Sequence, residues 1–335
     1  MPGMFTLYLN CRQCRNGELV EDQMVVDDDT GRILYRTGYI GGELVDLEEG
    51  IIAPGFLELQ TNGVNGFHFT HFKEKQSYDA KVEETAKYYL TKGVTGFWAT
   101  VPTVAKDEFH NILPSLTPRS IKNGASLLGA HCEGPYLHPN KKGAHDASLF
   151  QDPSKTTPVE IYGQSNMSSI KYVTLAPELP NSNALIKDLV RQDIRVSLGH
   201  STATCAQGLE ALSSGATSLT HTLNCMSPIT AREPGLAGLI NVGATKKVPE
   251  PYYTIIPDGH HVHPNNVAML YRANPDKCIL ISDSIELAGL LDGTYPGHAQ
   301  IPHNQVKRGN LATIEGTDTL IGSCMSLQDG IQNLM

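Results

Sequence analysis

The chain has 335 residues, 40% of them apolar and 18% charged, and a net charge of −9. That composition supports a large buried core and excludes a disordered chain, and the length suits a barrel enzyme with a small appended domain. The acidic balance excludes general binding to nucleic acid or anionic membrane, which needs clustered Lys and Arg, but leaves room for a phosphorylated small molecule held by one or two local cations. The first fifty residues read as short strands with turns: FTLYLNC alternates, MVVDDDTGRILYRTG forms a hairpin around Asp29–Gly31, and YIGGELVDL follows. From Ile51 onward, apolar runs alternate with helical patterns. The expected strands are 51–59, 94–101, 125–132, 170–176, 194–199, 217–222, 252–257 and 278–283. The expected helices are 77–92, 105–117, 182–192, 203–214 and 264–273, with Ser201 or Thr202 as the cap of the fourth. Eight strands alternating with helices predict a parallel (β/α)8 TIM-like barrel, with a doubly wound open sheet as the alternative. A Gly-rich segment over 284–300, a hairpin turning near Arg308–Asn310 and a helix starting at Ser326 complete the chain.

Seven cysteines at irregular spacing, an odd number, indicate a reducing compartment. Cys11 and Cys14 form a CxxC with no second pair and are read as ordinary residues. The N-terminus lacks the apolar run of a signal peptide, and no stretch approaches the ~20 apolar residues of a membrane span, so a cytoplasmic protein is expected.

In a barrel, the C-terminal ends of the strands converge on one site. Here those ends carry Gln60 and Asn62, then Glu133, His200, His221, then His260, His261 and His263, and finally Asp283. Glu133, His200 and His221 make a carboxylate and two imidazoles on three strands, the three-ligand set of a catalytic zinc with one position left for water. Asp283 sits where a base could take that water's proton. Each of these residues alone has an ordinary alternative: a hydrogen-bonded core His, a salt-bridged Glu, an Asp capping a turn between Ser282 and Ser284. Their joint placement at four strand ends favours the site. His68 and His71 (HFTH) are read as surface or packing residues, Lys141 and Lys142 as a solvated loop with phosphate binding as the alternative, and 235–244 as a Gly-rich stretch without a phosphate-loop lysine.

These residues fall in segments that together resemble the N-acetylglucosamine-6-phosphate deacetylase family of the amidohydrolase superfamily: PGFLELQTNG (54–63), GAHCEGPYL (129–137), KGAHD (142–146), TLAPE (174–178), SLGHSTA (197–203), THTLNCMSPITAREPGL (220–236), DGHHVHP (258–264) and ISDSIELAG (281–289). The resemblance implies a barrel at 54–298, the N-terminal half of a small β-sandwich domain at 1–53, and a hairpin and incomplete last barrel helix at 299–335, since the family's chains continue further. It implies hydrolysis of the acetamide of N-acetylglucosamine 6-phosphate in amino-sugar catabolism. Gln60-Thr61-Asn62 stands where many amidohydrolases carry His-x-His, and neutral amides are poor zinc ligands, which implies one divalent metal, zinc, on Glu133, His200 and His221. By the same resemblance Asp283 is the acid–base, His261 holds the carbonyl oxygen, and His145, Asn224, Cys225 and Arg232 contact the sugar phosphate, with backbone amides at 224–225 as donors. Arg232 reaches a neighbouring subunit's site, implying a homodimer. The alternatives are an amidohydrolase acting on another N-acyl substrate, and an inactive truncated subunit.

Overall fold

The computed structural model describes residues 4–34, 42–242, 248–298 and 301–335. Residues 35–41 (the end of the expected hairpin and the start of YIGGELVDL), the last residues of the 235–244 run, and 299–300 lie outside the described residues. The chain divides into two compact units that meet between Gly55 and Phe56.

The N-terminal unit is a five-stranded sheet built on the long strand Phe5–Arg15. One edge of that strand takes Glu18–Glu21 and Met24–Asp27 antiparallel, and the other runs parallel to Glu43–Ile52. Asp27 fixes the turn before Arg32–Leu34 by accepting from the amides of Asp29 and Thr30, both at 3.0 Å. Ile51 and Ile52 pair with Arg12 and Gln13 in this sheet, so the expected strand 51–59 is two elements. Pro54, which has no N–H to give a ladder, separates them. Cys11 and Cys14 are both free thiols, one buried and one half-buried.

The C-terminal unit is an eight-stranded parallel sheet of Phe56–Thr61, Val94–Pro102, Ser126–Glu133, Ile170–Leu175, Arg195–Leu198, Ser218–Leu219, Tyr252–Ile255 and Cys278–Leu280, each hydrogen-bonded to the next. Past the eighth strand the chain returns to the first: Asp283 N donates to Gln60 O at 3.0 Å, and Asn62 N to Ser284 O at 2.7 Å. The sequential order and this seam make a barrel and rule out the doubly wound sheet. Helices cover its outside. In Lys75–Leu90 the buried Tyr78, Val82, Ala86 and Tyr89 recur at helical spacing and face the strands, and Glu74 caps the first turn through Ser77 N. Lys106–Ile112, Ser182–Arg191, Cys205–Ser213 and Pro264–Ala273 follow where expected. Thr204, not Ser201 or Thr202, caps the fourth of these, in a reciprocal pair with Gln207. Ser201 and Thr202 are instead bound by the Glu178 carboxylate, which fastens the turn after the fifth strand.

Two strands end three residues earlier than the apolar pattern suggests, at Leu219 and Leu280. The reason lies in the backbone just beyond. His200, His221 and Asp283 have φ of 48°, 31° and 45°, in the left-handed region that non-glycine residues rarely adopt and that active sites often hold. The chain leaves the ladder there and turns these side chains into the barrel mouth. Beyond it, Gly293–Tyr295, Gln305–Arg308, Leu311–Ile314 and Leu320–Ser323 form an antiparallel meander, with its turn at Gly309. Ile285 N reaches Ser323 O (3.0 Å) and joins the meander to the barrel seam. Ser326 then caps the helix Leu327–Leu334. No helix among the described residues is long and apolar enough to cross a membrane.

Candidate active site

The mouth of the barrel encloses a cavity of about 270 Å³, lined among others by Glu133, His145, His200, His221, His261 and Asp283. Three donor atoms meet on one side of it. His221 Nε2 lies 2.9 Å from Glu133 Oε1 and 3.0 Å from His200 Nε2, and His200 Nε2 lies 3.3 Å from Glu133 Oε1. Zinc bonds of about 2.0–2.1 Å at tetrahedral angles would set donors roughly 3.3–3.4 Å apart, so this triangle fits a single small dication with slight expansion. The ring proton of His200 agrees, while His221 Nδ1 is buried without a partner. Lys141 O accepts from His200 Nδ1 at 2.7 Å, which leaves the Nε2 lone pair facing the triangle. Gly143, at φ 57°, lets this loop lie on the ring: a Cβ there would come within 3.0 Å of Cys225 Sγ and 3.3 Å of His200 Cε1. Burial alone would lower both imidazoles, but Glu133, and for His200 also Cys225, raise them above the usual histidine range. The Glu133 carboxyl, which burial would raise, is held well below its usual range by His145, His200 and His221. The triangle therefore attracts positive charge, proton or metal.

Glu133, His145 and His200 also have donor atoms all within 4.8 Å of one another. The Thr103 amide, however, donates to His145 Nδ1 at 3.2 Å, so the ring proton is on Nε2, the atom 3.8 Å from Glu133 Oε2. That nitrogen is a donor rather than a ligand, and burial lowers the ring's pKa and keeps it neutral. His221 is the third ligand the donor chemistry supports.

Asp283 faces the triangle from the seam. Asn62 Nδ2 donates to its Oδ1 at 2.9 Å, and Gln60 Nε2 spans Glu133 Oε1 (3.0 Å) and Asp283 Oδ1 (3.4 Å). The amides that are poor ligands thus serve as donors between two carboxylates. Burial and the Glu133 charge raise the Asp283 pKa above the usual aspartate value, which suits a group that takes and returns a proton. His261 Nδ1 lies 2.6 Å from Asp258 Oδ2, and the Asp258 carboxylate also accepts from the amides of His260 and His261. Those bonds outweigh burial and lower the Asp258 pKa. Asp258 therefore fixes the His261 ring with Nε2 towards the cavity.

The structure brings together the expected metal, acid–base and substrate residues except Arg232, which is exposed and makes no hydrogen bond or ion pair among the described residues. Asn224 and Cys225 line the cavity, but the Asn224 amide N–H is spent on His221 O at 2.9 Å. Its side-chain Nδ2 is buried without a partner and is the available donor. His260 is exposed, and His263 caps the helix Pro264–Ala273. Lys141 is not a free solvated lysine: its Nζ donates to Met226 O at 2.7 Å. His68 is buried in the cavity wall rather than on the surface. Sequence reasoning missed Asp258, Thr103 and the Lys141 carbonyl. Asp258, three residues before a strand-end histidine, was the only one with a side-chain signal.

No family model matches the chain. Curated relatives named N-acetylglucosamine-6-phosphate deacetylase are 35% identical in Caenorhabditis elegans, over 98% of this chain and 80% of the relative, and 34% identical in Danio rerio, over 96% and 80%. Among solved structures, a variant of N-acetyl-D-glucosamine-6-phosphate deacetylase from Mycobacterium smegmatis, in complex with N-acetyl-D-glucosamine-6-phosphate, superposes with a TM-score of 0.80 at 25% identity, covering 99% of this chain and 83% of that one. Similarity at this level over nearly the whole length carries the fold and the metal-dependent hydrolase class together: the chain belongs to the N-acetylglucosamine-6-phosphate deacetylase family.

Proposed function

We propose that the chain hydrolyses the acetamide of N-acetylglucosamine 6-phosphate, giving glucosamine 6-phosphate and acetate. The observation that carries this is the donor triangle of Glu133, His200 and His221 with the raised carboxyl of Asp283 beside it. A divalent metal on those three ligands, zinc by donor type, supplies the Lewis acidity that makes water a nucleophile near neutral pH. Asp283, held by Asn62 and Gln60, takes the proton of the attacking water and delivers it to the leaving nitrogen. His261, braced by Asp258 at Nδ1, turns Nε2 to the oxygen on which charge develops and donates to it when both ring nitrogens carry a proton. His145 Nε2–H and the free Asn224 Nδ2 orient the sugar phosphate within the same cavity. Exposed Arg232 acts on the phosphate in the site of a second copy, since guanidinium binds phosphate with two parallel bonds. The test is acetate release by metal-stripped protein before and after zinc addition, with unphosphorylated N-acetylglucosamine as control. Metal-dependent release from the phosphorylated sugar supports the assignment. A folded, metal-loaded sample that releases none overturns it.

A further inference from the structure

Beside the catalytic cavity, three imidazoles and a carboxylate form a second cluster. The rings of His68 and His71 stack at 5.2 Å between centroids, His71 and His298 meet edge-on at 4.6 Å, and His68 and His298 are 5.6 Å apart. Glu286 Oε1 lies 3.4 Å from His298 Nε2 and accepts from Gln305 Nε2 at 2.8 Å. Glu286 is 5% exposed. Its pKa is lowered to about 2, the neighbouring His298 and His68 rings and the bond from Gln305 together outweighing burial. The His68 imidazole is lowered to about 3 by burial, so at neutral pH it brings no charge to the pair.

The bonding of this cluster is incomplete. His71 Nε2, both ring nitrogens of His298, and Glu286 Oε2 are buried with no hydrogen-bond partner. One such atom costs about 1–3 kcal/mol, and an orphan in a native protein commonly marks a water or an ion. One nitrogen from each of the two rings and the free carboxylate oxygen make a His/His/Glu donor set suited to a borderline transition metal. We propose that His71, His298 and Glu286 bind a second divalent metal ion, of the zinc, cobalt or nickel class, with His68 at its edge. Unlike the donors around Glu133, those of this cluster are not all drawn together, and binding would close the site by rotation of the half-buried His71 and His298 rings. The ion would tie the segment after the first strand to the segment after the eighth, across the barrel seam.

The experiment is cobalt titration of metal-stripped protein, followed by calorimetry and elemental analysis. Wild type is expected to take up two equivalents. E133Q/H200Q is expected to keep one, H71Q/H298Q to keep the other, and E286Q, which retains the volume and an acceptor for Gln305, to weaken the second equivalent at least tenfold. One equivalent in wild type that E133Q/H200Q abolishes overturns the second site and leaves the first. A second equivalent that survives in H71Q/H298Q also overturns it.

Discussion

Glu58 offers a test of how the barrel interior treats charge. It is 1% exposed, on the first barrel strand below the site, and its carboxylate accepts from Gln60 N (3.2 Å) and Ser282 N (3.3 Å). Burial, with a smaller push from Asp283, raises its pKa from 4.5 to about 8. Between these values the folded chain holds a proton that the unfolded chain has lost, so stability falls as pH rises through the window and levels off above pH 8. At 1.36 kcal/mol per pKa unit, the loss reaches about 3 kcal/mol at pH 7 and about 5 kcal/mol above pH 8. Gln is uncharged at every pH, and its Oε1 can keep the bonds from Gln60 and Ser282. E58Q should therefore match wild type near pH 4.5 and exceed it by about 3 kcal/mol at pH 7. Urea unfolding of both proteins in chelator, at half-unit steps from pH 5 to 9, reads the difference directly. A gap that does not change with pH, or a Gln variant weaker than wild type at pH 8, would refute the reasoning. Either result would mean that the carboxylate is ionised in the barrel and held by its amide donors.

Four further outcomes follow from the site. D283N should lower kcat by at least ~10²–10⁴, the range of a lost general acid–base, with metal content unchanged by elemental analysis. H221Q should lose metal affinity by more than the roughly 10–100-fold that an outer-shell change costs, whereas H145Q should keep its metal and raise KM; the reverse pattern would exchange their roles. D258N should lower kcat on the order of tenfold while KM holds, because the His261 ring loses the partner that aims it. R232A should raise KM for the phosphorylated sugar by about 10–100-fold, the loss of a charge-assisted bond, and leave the metal in place.

The eight barrel strands were readable because parallel strands covered by helices are apolar on both faces, as in Ser126–Glu133, and amphipathic helices interrupt them. Strand ends were less readable. The left-handed turns at His221 and Asp283 follow from how the mouth packs, and nothing in the local composition marks them. The strand-end rule still placed Glu133, His200, His221 and Asp283 together at the barrel mouth, because it depends on chain position rather than on local conformation.

What decides each histidine's role was not readable, and the cause is physical. A ligand and a donor imidazole differ only in which nitrogen holds the proton, and that proton is placed by the group opposite the other nitrogen. For His200 this group is the carbonyl of Lys141; for His145 it is the amide of Thr103. Both are backbone atoms, present at every residue and visible only when the loops are packed. His68 and His71 show the same limit in another form: the HFTH spacing is unspecific by itself, and its partners Glu286 and His298 arrive only with the segment beyond the eighth strand. Sequence thus locates the ionisable side chains at the mouth, and the backbone between distant segments assigns them their chemistry.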